Sequence, residues 1–282
     1  MNRRNFLRNL SYGIGGAVLL NNLSFPIQTS GKTLSKIGLQ LYTVRRDLEK
    51  DFEGTLRKVA ALGIREVEFA GYFDHQPEDI KKLLKQLKLN APSAHVSTEN
   101  LRQDLPRIIE NAKIVGHEFL VLGYLPEDER KSLDDYKKLI KLLNKAGEEC
   151  RKNDLQFAYH NHDFEFTKMD NQIPYDLILA ETDPQKVKME MDLYWISKAG
   201  FDPILYFEKH PKRFPLVHVK DMDATPKKYF TEVGRGTINF KKIFAKADAA
   251  GIKHYFIEQD ETPAEPLESV KTSVKYLKEI KF

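Results

Sequence analysis

Two short apolar runs in the second half of the chain end in groups able to hold a cation and move a proton. Residues 187–192, VKMEMD, end on a carboxylate, and residues 216–221, LVHVKD, deliver an imidazole, an ammonium and another carboxylate in close succession. If both runs are strands, alternation puts Lys188, Glu190 and Asp192 on one face and Val187, Met189 and Met191 on the other. His218 and Lys220 likewise share a face with Leu216, opposite Val217 and Val219. Asp192 and His218 at two strand ends make half of a divalent-metal site, and the rest of the chain must supply the remainder. Lys220 and Asp221 admit a plainer reading, as an ion pair closing the rim.

The elements needed to position these groups are legible from residue 36 onward. Apolar runs at 37–44, 64–70, 91–97, 118–124, 155–162, 187–194, 216–221 and 253–259 read as strands. Helical stretches at 52–62, 77–87, 101–115, 133–152, 175–180, 203–209, 240–249 and 268–280 alternate with them. Gly63, Gly116 and Gly251 fall where helix-ending glycines belong, and Asn90 and Asn153 are candidates for the same role. Eight strand–helix units in about 250 residues predict an α/β fold, a single-domain (β/α)8 TIM barrel. An open doubly wound sheet would place a glycine-rich phosphate turn after the first strand. Tyr42-Thr43-Val44-Arg45-Arg46 contains no glycine.

In such a barrel chemistry sits at the C-terminal strand ends. There the chain offers Gln40 and Tyr42, Glu66 and Glu68, Ser93 and His95, His160 and His162, Glu190 and Asp192, His218 and Lys220, and Glu258 and Asp260. The fourth strand offers nothing polar. Glu258 joins Asp192 and His218 as a third ligand. Oxygen and nitrogen donors without a nearby thiolate suit Mn2+, Mg2+ or Co2+, and Zn2+ as well. Tyr42 and Trp195 have the polar and apolar faces that pack on sugar rings, or equally well in a core.

The formal charge of +4 is mild and includes Arg3, Arg4 and Arg8 at the start. No concentrated basic face points to nucleic acid. The one cysteine, Cys150, excludes an internal disulfide and sits in a helical stretch as a buried thiol. Asn2-Arg3-Arg4-Asn5-Phe6-Leu7-Arg8, followed by a weak apolar run, resembles a twin-arginine export signal. Residues 1–30 are therefore expected to be a leader, 31–282 the barrel, and the protein exported to the periplasm. No clear cleavage site follows, so an uncleaved leader would be its one membrane attachment.

GLQLYTVR at 38–45, AYHNHDFEF at 158–166, MEMDLYW at 189–195, HVKDMD at 218–223, VGRGTINF at 233–240 and IEQD at 257–260 resemble the xylose-isomerase-like TIM-barrel superfamily of sugar phosphate isomerases/epimerases and family 2 AP endonucleases. The resemblance implies one divalent ion held by Glu, Asp, His and Glu from successive strands. Asp192, His218 and Glu258 match the last three. For the first it offers Glu165, with His160 or His162 as competing assignments, because relatives carry a glutamate within the strand that here reads Tyr159-His160-Asn161-His162. Arg235 resembles a substrate-orienting arginine and His95 a substrate-contacting histidine.

The implied chemistry is removal of a proton beside a sugar carbonyl, giving an enediolate. A divalent cation stabilises the developing charge, and a positioned base takes the proton. Glu165 and Glu258 are the expected bases. His162, His160 and His95 would bind hydroxyls or relay protons, and Lys220 would stabilise an oxyanion. The expected function is a metal-dependent isomerase or epimerase. The alternatives are a 3-keto-glycoside lyase or hydrolase on the same site, or a carbohydrate-binding barrel without turnover. Export and the missing phosphate cradle favour free sugars or glycosides. The endonuclease activity would need a richer ligand set and a basic groove.

Overall fold

The computed structural model describes residues 31–262 and 265–282. The expected leader and its export signal lie outside the described residues. Eight strands form the barrel: β1 Gly38–Gln40, β2 Glu66–Phe69, β3 Asn90–Val96, β4 Phe119–Leu122, β5 Gln156–His160, β6 Val187–Asp192, β7 Leu216–Val219 and β8 His254–Ile257. Each pairs in parallel with its neighbours, and β1 closes onto β8. Alternation divides every strand between two cores. Outward residues such as Val67, Phe157, Met189 and Val217 join the large core beneath the helices. Phe119, Val121, Ala158, Leu216 and Phe256 fill the interior. Gly38 is required there: a Cβ would stand 2.4 Å from the Phe256 ring.

Pro77, Pro174, Pro203 and Pro266 open the helices Pro77–Leu87, Pro174–Glu181, Pro203–Lys209 and Pro266–Glu279, where a missing N–H costs nothing. Gly63, Gly116 and Gly251 take the left-handed conformation as expected. Asn90 and Asn153 do not; Lys88 (φ 56°) and Asp154 (φ 62°) turn the chain instead. The stretch 101–115 divides into Thr98–Gln103 and Leu105–Val115, since Pro106 has no N–H to continue a helix. The stretch 240–249 likewise divides into Phe240–Phe244 and Ala247–Ala250.

The strands β1 and β6 end earlier than expected for one reason. The polar residue at each end turns back to cap the next helical turn. Gln40 Oε1 accepts from Tyr42 N at 3.0 Å and starts the 3-10 turn Leu41–Val44. Asp192 Oδ1 accepts from Tyr194 N and Trp195 N, both at 2.9 Å, and starts the helix Leu193–Lys198. No helix among the described residues is long and apolar enough to cross a membrane. Cys150 lies buried in the helix Leu133–Lys152, and burial pushes its thiol up to about 12.

Candidate active site

The register places Asp192 beside His218 on the β6–β7 pair. Asp192 is fixed through Oδ1 by the helix cap, which leaves Oδ2 facing the barrel axis. His160 Nε2 stands 3.4 Å from that oxygen and 3.0 Å from His218 Nδ1. Glu258 Oε2 lies 2.7 Å from the same His218 nitrogen. One donor atom each from His160, Asp192, His218 and Glu258 therefore falls within 4.8 Å of the others, and all four residues are buried. They rise from four consecutive positions of the barrel wall, β5 to β8.

Electrostatics set the charge of this group. Burial opposes ionisation of Asp192, but the Lys220 ammonium and the neighbouring imidazoles hold its carboxyl down at about 2. Burial also opposes ionisation of Glu258, and Lys220 and His218 overcome it, holding this carboxyl well below its ordinary range. Lys220 Nζ lies 3.1 Å from Asp192 Oδ2, 2.7 Å from Glu258 Oε2 and 2.9 Å from Asp260 Oδ1. These carboxylates keep Lys220 charged despite its burial.

The donor set fits a divalent cation. It has two imidazoles and two carboxylates, with no thiolate. Asp192 Oδ2 and His160 Nδ1 are buried and make no hydrogen bond, as are Glu190 Oε1, His162 Nδ1 and Trp195 Nε1. A buried polar atom without a partner is destabilising unless a ligand satisfies it. The other nitrogen of His218, Nε2, faces Glu68 Oε2 at 2.6 Å. A ring that donates to a carboxylate through Nε2–H presents its Nδ1 lone pair to an ion.

Beneath this group lies a second one. Glu68 accepts from Gln40 Nε2 at 2.7 Å and Ser93 Oγ at 2.5 Å, and His95 Nε2 stands 2.8 Å from Glu190 Oε2. Glu68, His95, Glu190 and His218 also have cation-binding atom types close together. Gln40 and Ser93 hold Glu68, and His95 holds Glu190, so this group braces His218 from below. Burial works against a charged His95, yet Glu68 and Glu190 raise it to about 10. Gly123, at the end of the apolar β4, makes room for its ring: a Cβ there would lie 2.2 Å from His95 Nδ1.

A cavity of about 710 Å3 opens above, lined by His95, His160, His162, Trp195, Lys220, Glu258 and Asp260. Tyr42, Tyr124 and Phe164 give it aromatic walls, and Arg130 packs over the Phe164 ring at 3.6 Å. Burial, with His160 and the Lys220 ammonium close by, holds His162 well below the ordinary imidazole range.

Three expectations need correction. Glu165 is not in the ligand group: Tyr159 Oη donates to its Oε1 at 2.5 Å and His162 N to its Oε2 at 2.8 Å. After β5 the chain winds into the 3-10 turn Phe164–Phe166, which carries this side chain out of the cavity, and His160 supplies the β5 donor. Arg235 does not line the cavity. Its side chain is 62% exposed, with Nη1 3.6 Å from Glu232 Oε2. Lys220 and Asp221 form no pair with each other. Asp221 accepts the backbone N–H groups of Met222, Gly234, Gly236 and Ile238 and so shapes the loop that bears Arg235.

Sequence reasoning noted Glu68 and Glu190 but gave them no task. The signal was their inward parity beside Gln40, Ser93 and His95.

A family model described as a xylose isomerase-like TIM barrel matches residues 56–280, and the chain belongs to that family. The chain is 29% identical over 165 residues to an inosose dehydratase of Geobacillus thermodenitrificans, a match covering 52% of this chain and 55% of that protein. It is 25% identical over 270 residues to the inosose dehydratase of Lacticaseibacillus casei, covering 81% and 89%. Among solved structures, a sugar phosphate isomerase/epimerase of Parabacteroides distasonis superimposes with a TM-score of 0.74 at 29% identity, over 89% of this chain and 95% of that one.

Proposed function

We propose that this xylose isomerase-like barrel is a divalent-metal-dependent lyase that removes the proton beside a ketone of a sugar-like polyol or glycoside and expels the substituent on the next carbon. The observation that supports it most is the composition of the β5–β8 arc. Glu258 stands at one end and His160 at the other, so the proton exchange between two glutamates expected for epimerisation lacks its second carboxylate. A base on one face suffices for elimination.

A divalent cation held by His160, Asp192, His218 and Glu258 would supply Lewis-acid stabilisation of the charge that develops on the carbonyl oxygen. Glu258 takes the proton at the carbon beside the carbonyl, and the C–H electron pair passes into the enolate. As the carbonyl re-forms, that pair becomes the C=C bond. The C–O bond at the next carbon breaks, and the leaving oxygen departs with a proton as water or an alcohol. Neutral His162 and Trp195 line the cavity beside the substrate hydroxyls, and Tyr42 supplies an aromatic edge at the rim. The names of the two dehydratase relatives agree with loss of water.

A second reading, isomerisation with the sugar left intact, is favoured by the name of the Parabacteroides structure. Incubating the metal-loaded protein with a keto-inositol and a 3-keto-glycoside in deuterated water separates the two. Elimination releases water or aglycone and leaves an unsaturated ketone. An intact rearranged sugar carrying solvent deuterium would overturn the lyase in favour of the isomerase. Metal-independent binding without turnover would make this a carbohydrate-binding barrel. Export through residues 1–30 is part of the proposal, resting on the paired arginines, and fractionation of cells expressing the full chain tests it.

A further inference from the structure

All four donors of the ligand group come from β5 to β8, yet the barrel mouth is not closed on the facing side. A second cavity of about 610 Å3 opens off β2 and β3 and shares Gly71, His95, Val96 and Asn100 with the first. It runs between the loop that follows β2 and the helix Leu105–Val115. The first cavity alone is in the size range that buries a drug-sized ligand. The continuation is room for a second part of the substrate.

The wall formed by the β2 loop is built rather than loose. Phe73 (φ 51°) and Asp74 (φ 62°) are consecutive non-glycine residues in the left-handed region, a conformation that persists only when its surroundings enforce it. Tyr72 Oη is tied at 3.0 Å to the buried His117, whose Nδ1 bonds Ala91 O at 2.6 Å. The His75 ring stacks on Phe52 at 4.0 Å. Strain braced from both sides is characteristic of a ligand clamp.

The chemistry of the lining selects the occupant. Asp74, Gln76 and Asn111 line the cavity, the first two exposed and Asn111 half-buried, and none of them spends its side chain on a hydrogen bond within the protein. Gln76 precedes the helix Pro77–Leu87 without capping it through its side chain. Arg107, the arginine of this lining, is engaged by Asp104, so no unpaired cation awaits a phosphate and Asp74 would repel one. Two amides and a carboxylate suit the hydroxyls of a neutral polyol.

We propose that this cavity is a leaving-group subsite for a neutral hydroxylated ring, so that the substrate is a glycoside of two rings and not a single sugar or a sugar phosphate. The identification of the second ring as the leaving group rests on the lyase reading; the subsite itself does not. The test compares methyl β-glucoside with cellobiose by calorimetry, and their 3-keto forms by kcat/KM, in the full-length metal-loaded protein. Wild type should bind cellobiose about tenfold more tightly. Gln76→Ala should reduce that preference about fivefold, the effect of one lost hydrogen bond of ordinary strength. Asn111→Trp, which fills the cavity, should abolish it. Equal affinity for both sugars, or a preference that both folded variants retain, would overturn the subsite. Preferential cellobiose binding without elimination from either keto form would leave the subsite standing and remove the lyase reading. Elimination at equal efficiency from both keto forms would do the reverse.

Discussion

Glu66 and Glu68 stand two residues apart on β2, both pointing into the barrel and both facing histidines from distant strands. At the bottom, Glu66 takes Lys36 Nζ on Oε1 at 3.0 Å and His254 Nδ1 on Oε2 at 2.8 Å, and the network ends there with every oxygen used. At the top, Glu68 leads through His218 to Glu258, His160 and Asp192, where Asp192 Oδ2 makes no hydrogen bond and meets the Lys220 ammonium and the His160 ring. The same residue types thus build a closed ion pair at one end and an open donor set at the other. A buried glutamate–histidine contact is no sign of chemistry by itself. Donor atoms converging without satisfaction are.

Four changes would break or sharpen that contrast. Glu258→Gln removes the proposed base and one candidate donor from the open end, and kcat should fall by about 10^2 to 10^4, the usual worth of positioned acid–base catalysis. Steady-state kinetics on the keto substrate, with circular dichroism as the fold control, checks it.

The next effect concerns Glu165, which belongs to neither network. Burial raises its carboxyl to about 7, although Tyr159 Oη and His162 N donate to it. Its folded value exceeds the unfolded one, so its contribution to stability is complete below about pH 4.5 and is lost as pH rises through about 7. That amounts to about 3 kcal/mol across the window. Urea melts between pH 4.5 and 8 should show the decline, and Glu165→Gln should flatten it.

Glu68→Gln weakens the brace on His218 Nε2 while leaving all four donors in place. Metal affinity should drop about 10- to 100-fold, as for other partners of ligating imidazoles, with Tm of the metal-free protein little changed. Glu66→Ala, at the closed end, should show the opposite pattern. Metal affinity stays at the wild-type value, and stability falls by about 1–2 kcal/mol from one lost buried hydrogen-bonding partner. If Glu66→Ala impaired metal binding as strongly as Glu68→Gln, the distinction between the two ends would fail.

Much of this was legible in the sequence because strand periodicity fixes parity. Once β6 and β7 were in place, Asp192 and His218 had to emerge on the same rim, and Glu258 followed from β8. The β5 donor was not legible. Alternation ends at His160, and beyond it the 3-10 turn decides whether a carboxylate five residues on points inward or out; local turn geometry has no period to read. Arg235 was misplaced for a related reason. Its motif is intact, but Asp221 gathers the loop from four backbone N–H groups and leaves the guanidinium outside the cavity. The floor of Glu68 and Glu190 escaped assignment because it joins residues far apart in the chain.

Calorimetric titration of Mn2+ and Zn2+ into the metal-stripped wild type, His160→Gln and Glu165→Gln tests the central claim most directly. The ligand group described above requires one ion per wild-type chain, affinity reduced at least tenfold in His160→Gln, and affinity preserved in Glu165→Gln. Preserved binding in His160→Gln together with loss in Glu165→Gln would contradict it and return the first ligand to Glu165.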